Sequence, residues 1–251
     1  MAASARHVRC ACDAAQATTG AIHSYDLFVA DAHQAGSYLK KFGTFTAGDS
    51  VRSIFDRQTL GVRAVLDVHE GDLREFPWPA DSPIEVLFID VSKTWALNDF
   101  IVREFFPALL PERSIVVQQD YVHPTCPWLA VTMEYLADYF ELIDYVPYNS
   151  LVYRTRRAVP AELVAGDVVS ALADGEKRAL MDRAIQRAAA RLAPADLVEL
   201  EAARTLMILQ MQGRDAAEHD LARVRATYAA SPRLARAAQW VEARLPVSDP
   251  P

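Results

Sequence analysis

Residues 84–95 read IEVLFIDVSKTW. Ile84, Val86, Leu87, Phe88 and Ile89 make a nearly unbroken apolar run, the pattern of a strand covered on both faces by helices. Asp90 follows at the point where such a strand leaves its sheet. In open α/β sheets ligands bind outside the carboxyl ends of the strands, so a carboxylate placed there is a candidate for chemistry.

Outward from this stretch, short apolar runs alternate with longer helical patterns from Ala21 to Tyr153, the signature of βαβ units and a mostly parallel sheet. The patterning predicts strands at 22–25, 64–68, 85–89 and 114–117. Helices are predicted at 50–60, with Val51, Ile54 and Phe55 on one face, and at 94–110, with Leu97, Ile101, Phe105 and Leu109 at helical spacing. A loop with two prolines, YVHPTCPW, leads to a helix at 129–140. Two runs at 142–146 and 151–153 follow, and the turn between them is short enough for an antiparallel hairpin. The expected fold class is α/β: a doubly wound, mostly parallel, Rossmann-like sheet ending in an antiparallel hairpin, followed by an α-helical C-terminal domain.

Pro160 marks the change. From 161 to 245 the chain is rich in Ala, Leu, Glu, Arg and Gln, and Gly175, Pro194, Gly213 and Pro232 punctuate four or five helices. The expected domains are therefore 1–158, α/β, and 160–251, helical. LMILQMQGRDAAEHDLARV within the second is similar to one tetratricopeptide unit, although such units need about three copies to bury their faces. The tail's arginines alternate with acids, as solvated helix faces do. A stripe with Leu200, Met207 and Met211 suits internal packing first and a homo-oligomer through the tail second.

With 251 residues, 51% of them hydrophobic, the chain can bury a full core. Its net charge of -7 argues against nucleic acid as partner and leaves a small molecule as the default. Cys10, Cys12 and Cys126 cannot all pair and form no metal knuckle, so a reducing, cytoplasmic setting is the plain reading. The N-terminal stretch has no signal-peptide core, and no run reaches the roughly 18 apolar residues of a membrane span, so no membrane association is expected.

Four carboxylates share one description, each at or just past the end of an expected strand: Asp26, Asp72, Asp90 and Asp120. Along one sheet edge they would suit hydroxyls, amines or a divalent cation, while each alone is equally a helix N-cap. His69 and Glu70, adjacent in sequence, point to opposite faces of a strand and make no metal pair. Cys126, between prolines, has no basic neighbour in sequence to activate it. Trp95, Tyr121 and Trp128 are candidates for a pocket lining or for core.

This pattern, from Ala21 to about Arg157, resembles the class I S-adenosylmethionine-dependent methyltransferases, especially the small-molecule O-methyltransferases of the catechol and macrocin type. The resemblance implies that Asp26 in AIHSYDLF holds the ribose of S-adenosylmethionine, and that Asp72, with Leu73 beside it in HEGDL, lies by the adenine. It implies a cofactor and metal role for Asp90 in LFID, and metal ligation, by magnesium for instance, for Gln119 and Asp120 in VVQQDY. The metal would lower the pKa of a bound acceptor hydroxyl. In a metal-free route His123 would act as general base. Lys93 would orient a substrate oxygen or balance the carboxylates.

One departure stands out. The family's first strand and glycine-rich turn should precede Asp26, where only 25 residues lie and Gly20 is the sole glycine. Two expectations follow: a chain that starts late relative to a longer ancestor, or a fold that has lost cofactor binding. The rival to an enzyme is a methyltransferase-like scaffold whose helical tail mediates protein association.

Overall fold

A computed structural model describes residues 20–147 and 149–245; Cys10, Cys12 and the segment 11–18 lie outside them. The architecture is mixed α/β with a helical C-terminal region. The chain divides into two compact units, Met1–Pro77 and Trp78–Pro251.

In the first unit, strands β1 (Ile22–Asp26) and β2 (Leu66–Glu70) pair in parallel, with His23 opposite Asp67 and Tyr25 opposite His69. The second strand starts two residues later than expected. Leu60–Val65 winds instead as a 3-10 turn, nucleated where the Val62 N–H reaches the Thr59 carbonyl at 3.0 Å. Helix α1 (Ala32–Gly36) is short and opened by a capping box: the Gln34 N–H donates to Asp31 at 2.7 Å, and the Asp31 N–H returns to Gln34 at 3.0 Å. Helix α2 (Arg52–Gln58) buries the expected face, with Val51, Ile54 and Phe55 packed on Phe28, Ala30 and Leu39.

The second unit runs β3 (Val86–Ile89), α3 (Trp95–Phe105), β4 (Ile115–Gln118), α4 (Pro127–Tyr135), β5 (Phe140–Val146) and β6 (Ser150–Thr155). Its sheet has the order β3-β4-β6-β5, in which β3 and β4 are parallel and β6 is antiparallel to both of its neighbours. The hairpin is present as read. Among the described residues the strands thus pair as two sheets, of two and four strands, where one continuous sheet was expected. Strand β3 is an edge of its sheet, and Val86 is 65% exposed, so it is not the doubly covered strand that its composition suggests.

The helices after Pro160 are α5 (Asp174–Ala188), α6 (Pro194–Gln212), α7 (Arg214–Thr227) and α8 (Leu234–Glu242). Pro194 opens α6, where a missing N–H costs nothing. Gly213 closes it at φ +85°, a backbone state that glycine alone adopts without penalty. Because α6 packs against α4, α5, α7 and α8, its residues from Asp196 to Ile208 are all buried. Leu200 and Met207 are consumed in this packing, while Met211 is half-buried.

The helical region is tied into the second unit rather than set off at 158–160. Buried Asp99 on α3 accepts backbone N–H bonds from Val169 and Ser170, each at 3.0 Å. Glu134 on α4 pairs with Arg187 at 2.8 Å and with Arg183 at 3.4 Å on α5. The alternating arginines and acids are not all solvated, as the sequence suggested. Arg204 is buried with Asp220 at 2.5 Å, Glu201 at 3.4 Å and Asp182 at 2.7 Å, and Arg223 closes the cluster onto Glu201 and Asp220. A helix buried on several faces can keep charges inside only when they are paired in this way.

Candidate small-molecule site

Chain geometry at the carboxyl ends of the parallel pair β3 and β4 creates the site. After Ile89 the chain turns through Asp90 to Lys93 and enters α3 at its N-cap Thr94, whose hydroxyl accepts the Leu97 N–H at 3.1 Å. This turn is braced from two sides. The Trp128 indole N–H donates to the Ser92 carbonyl at 3.0 Å, and the Ser92 hydroxyl donates to Asn98, which in turn donates to Thr132 at 2.7 Å. On the neighbouring strand the Gln119 N–H extends the ladder to the Ile89 carbonyl at 3.0 Å. Asp120 then takes a left-handed backbone, φ +60°, which costs an aspartate about 1 kcal/mol.

That braced pair of turns brings Asp90, Lys93 and Asp120 together. The Lys93 ammonium donates to Asp120 Oδ2 at 2.5 Å and to Asp90 Oδ1 at 3.2 Å. Both carboxylates are 13% exposed, whereas Lys93 is 42% exposed. Burial pushes the Asp90 carboxyl upward, with Lys93 opposing and Asp120 adding to the shift. Burial alone would lower the Lys93 pKa, but the charges of Asp90 and Asp120 outweigh it and raise the value. The lysine is therefore a firmly held ammonium.

The cation position of the expected metal site is thus taken by Lys93. Asp90 and Asp120 each give it an oxygen, and a divalent ion would have to displace an ammonium from both. The third expected ligand, Gln119, is half-buried and makes no side-chain hydrogen bond among the described residues. Magnesium does not fit this arrangement.

His123 follows in the next turn, with its N–H on the Asp120 carbonyl at 2.9 Å. Its Nδ1 accepts the backbone N–H of Thr125 at 3.3 Å and contacts the Thr125 hydroxyl at 2.8 Å. A backbone N–H can only donate, so the proton of the neutral ring resides on Nε2. Burial lowers the pKa of His123; Asp120 opposes this, while Lys93, Arg236 and Arg244 reinforce it. His123 is thus a neutral ring whose Nε2–H is a hydrogen-bond donor. Trp240 on α8 meets the ring edge-on at 5.1 Å, a contribution from the helical region that sequence periodicity could not show.

The remaining candidates divide between site and core. Tyr121 is fully buried beside Tyr153, and burial raises its pKa. Cys126 is buried, which raises its pKa as well, and it stays an inert thiol. Trp95 is half-buried, stacked edge-on with Trp128 at 5.9 Å and capped by the Lys177 ammonium at 5.1 Å.

In the first unit, Asp26 ends β1 and its Oδ1 accepts the Phe28 N–H at 2.7 Å. Asp72 caps a 3-10 turn, Leu73–Glu75, in which Leu73 is buried. Arg74 takes both Asp72 oxygens through its side chain and holds the carboxyl down to about 2. This pair is exposed, and exposed ion pairs contribute little, so Asp72 can exchange Arg74 for another donor. Asp26 and Asp72 are in this sense compatible with binding a ribose and an adenine.

No protein-family model matches the chain, and no curated protein sequence does. Among the described residues no helix is long and apolar enough to cross a membrane.

Proposed function

We propose that the protein binds a small molecule at the carboxyl ends of β3 and β4 and activates one of its hydroxyl groups for metal-independent methyl transfer. The observation that carries this reading is the Lys93 ammonium held by Asp90 and Asp120 in a braced turn. A fixed cation there would stabilise an alkoxide as it forms. Asp90 is the better proton acceptor of the site, because burial raises its affinity for a proton. The hydroxyl proton passes to Asp90, the oxygen keeps its electron pair beside Lys93, and the Nε2–H of His123 supplies a further donor. S-adenosylmethionine, when bound, would supply the electrophilic methyl group and leave as S-adenosylhomocysteine.

The sheet supports the same class, since the resemblance implies an antiparallel last strand and β6 is antiparallel to β4. The test is transfer of labelled methyl from S-adenosylmethionine to a panel of catechols and sugar hydroxyls in the presence of a chelator. Incorporation without added metal, lost in Lys93→Met and in Asp90→Asn, is the expected result. Incorporation that needs magnesium, or none with any acceptor, counts against it.

A second reading is the scaffold without catalysis. It is favoured by the engagement of both Asp72 oxygens with Arg74. Binding of the cofactor product separates the two.

A further inference from the structure

The parallel pairing of β1 and β2 sets His23 opposite Asp67 and Tyr25 opposite His69. Residues 67 and 69 lie two apart on one strand, so their side chains share a face with that of His23. Three donor atoms converge there: His23 Nδ1 and His69 Nε2 are 3.2 Å apart, and Asp67 Oδ2 is 3.5 Å from the first and 3.4 Å from the second. Among the described residues this is the one group of three His, Cys, Asp or Glu side chains with ligand atoms so close.

We propose that His23, Asp67 and His69 form a zinc site. Three ligands at zinc's bond length of about 2.0–2.1 Å, placed on one face of a tetrahedron, lie about 3.3–3.4 Å from one another. The separations seen here, 3.2 to 3.5 Å, bracket that value. An octahedral ion with the same bond length would want them closer, at about 2.8–3.0 Å. Two imidazoles and one carboxylate are also the donor set that zinc accepts, and they leave its fourth position for water or a substrate oxygen.

The ligands are supported from behind. Tyr25 stacks on the His69 ring at 4.4 Å and Phe76 tilts against it at 5.3 Å, which fixes the ring's orientation. Without metal, an N–H of one ring directed at the bare nitrogen of the other accounts for their short contact. With zinc bound, both facing nitrogens would be ligands and each neutral ring would carry its proton on the other nitrogen. Asp67 is 59% exposed, so the ion has a path from solvent.

The site stands apart from the proposal for Lys93, and its test reads metal binding alone. Thiols are a competing donor type for zinc, so the full chain is studied with Cys10 and Cys12 both changed to serine. Zinc is titrated against a chromophoric chelator, and cobalt(II) is added in a parallel experiment. One zinc per chain with a Kd of about 1 μM or below is expected, weakened at least tenfold in Asp67→Asn and in His69→Gln. Cobalt should show the intense visible absorption of four-coordinate geometry. Absence of binding, binding that vanishes with the two serine changes alone, or an affinity unchanged in the His23→Gln/His69→Gln double variant would each overturn the assignment.

Discussion

Lys93 and Asp120 are 27 positions apart in the chain, yet the lysine Nζ lies 2.5 Å from the carboxylate across the ends of two parallel strands. The same ammonium reaches Asp90, so one side chain bridges two half-buried acids. Its removal should therefore convert the site from one that holds a lysine to one that wants a metal. In Lys93→Met, magnesium at about five times its Kd should stabilise the fold by about 1 kcal/mol, and it should leave the parent protein unchanged. Thermal unfolding with and without magnesium measures the difference.

Asp99 ties the segment after Pro160 to α3 through two backbone N–H groups. Asp99→Ala strands both donors, one of them buried, and should cost about 2–4 kcal/mol in urea unfolding. If the loss is below about 0.5 kcal/mol, the helical region is held by its apolar packing alone.

Arg204 is the centre of a buried charge cluster with Asp220, Glu201 and Asp182. Arg204→Met removes one of the cluster's two cations and leaves Asp220 and Glu201 with Arg223 alone, which should cost about 3 kcal/mol. The double variant Arg204→Met/Asp220→Leu should recover part of that loss, and a double-mutant cycle by denaturant unfolding reads the coupling.

Burial holds the pKa of His123 below the ordinary histidine value of about 6.5. The unfolded chain then takes up a proton that the folded one refuses, so the linked stability is complete above about pH 6.5 and falls as the pH drops toward the folded pKa. The stability of the parent relative to His123→Gln should decline between pH 7.5 and pH 5. Equal unfolding midpoints for the two proteins across that range would show that the ring is not held neutral by its surroundings.

Much of the second unit was legible in the sequence because its signals are local. The apolar run at 84–89, the helical spacing of Ile101 and Phe105 and the turn before Ser150 each describe an element that forms where they predict it. Elsewhere the pattern misled for identifiable reasons. Ala64 and Val65 are apolar enough for a strand, but local hydrogen bonds wind them into a turn, which moves β2 onward and brings His69 into it. Taken as a neighbour of Glu70, His69 shows no ligand partner; taken across the strand register, it has His23 and Asp67. Arg204 and Glu201 look solvated in a one-dimensional pattern because periodicity cannot tell when a polar face meets another helix. The contact of Lys93 with Asp90 and Asp120 is close to its reading as a balance for the carboxylates, whereas the positive φ of Asp120 is a feature that no residue pattern carries.

The proposed activity is methyl transfer without a divalent metal. Its most direct test is a calorimetric titration of the intact protein with S-adenosylhomocysteine, with chelator and then with magnesium. The account predicts micromolar binding that is the same in both conditions and is lost in Asp26→Ala. Binding that requires magnesium, or no heat of binding in either condition, would contradict it.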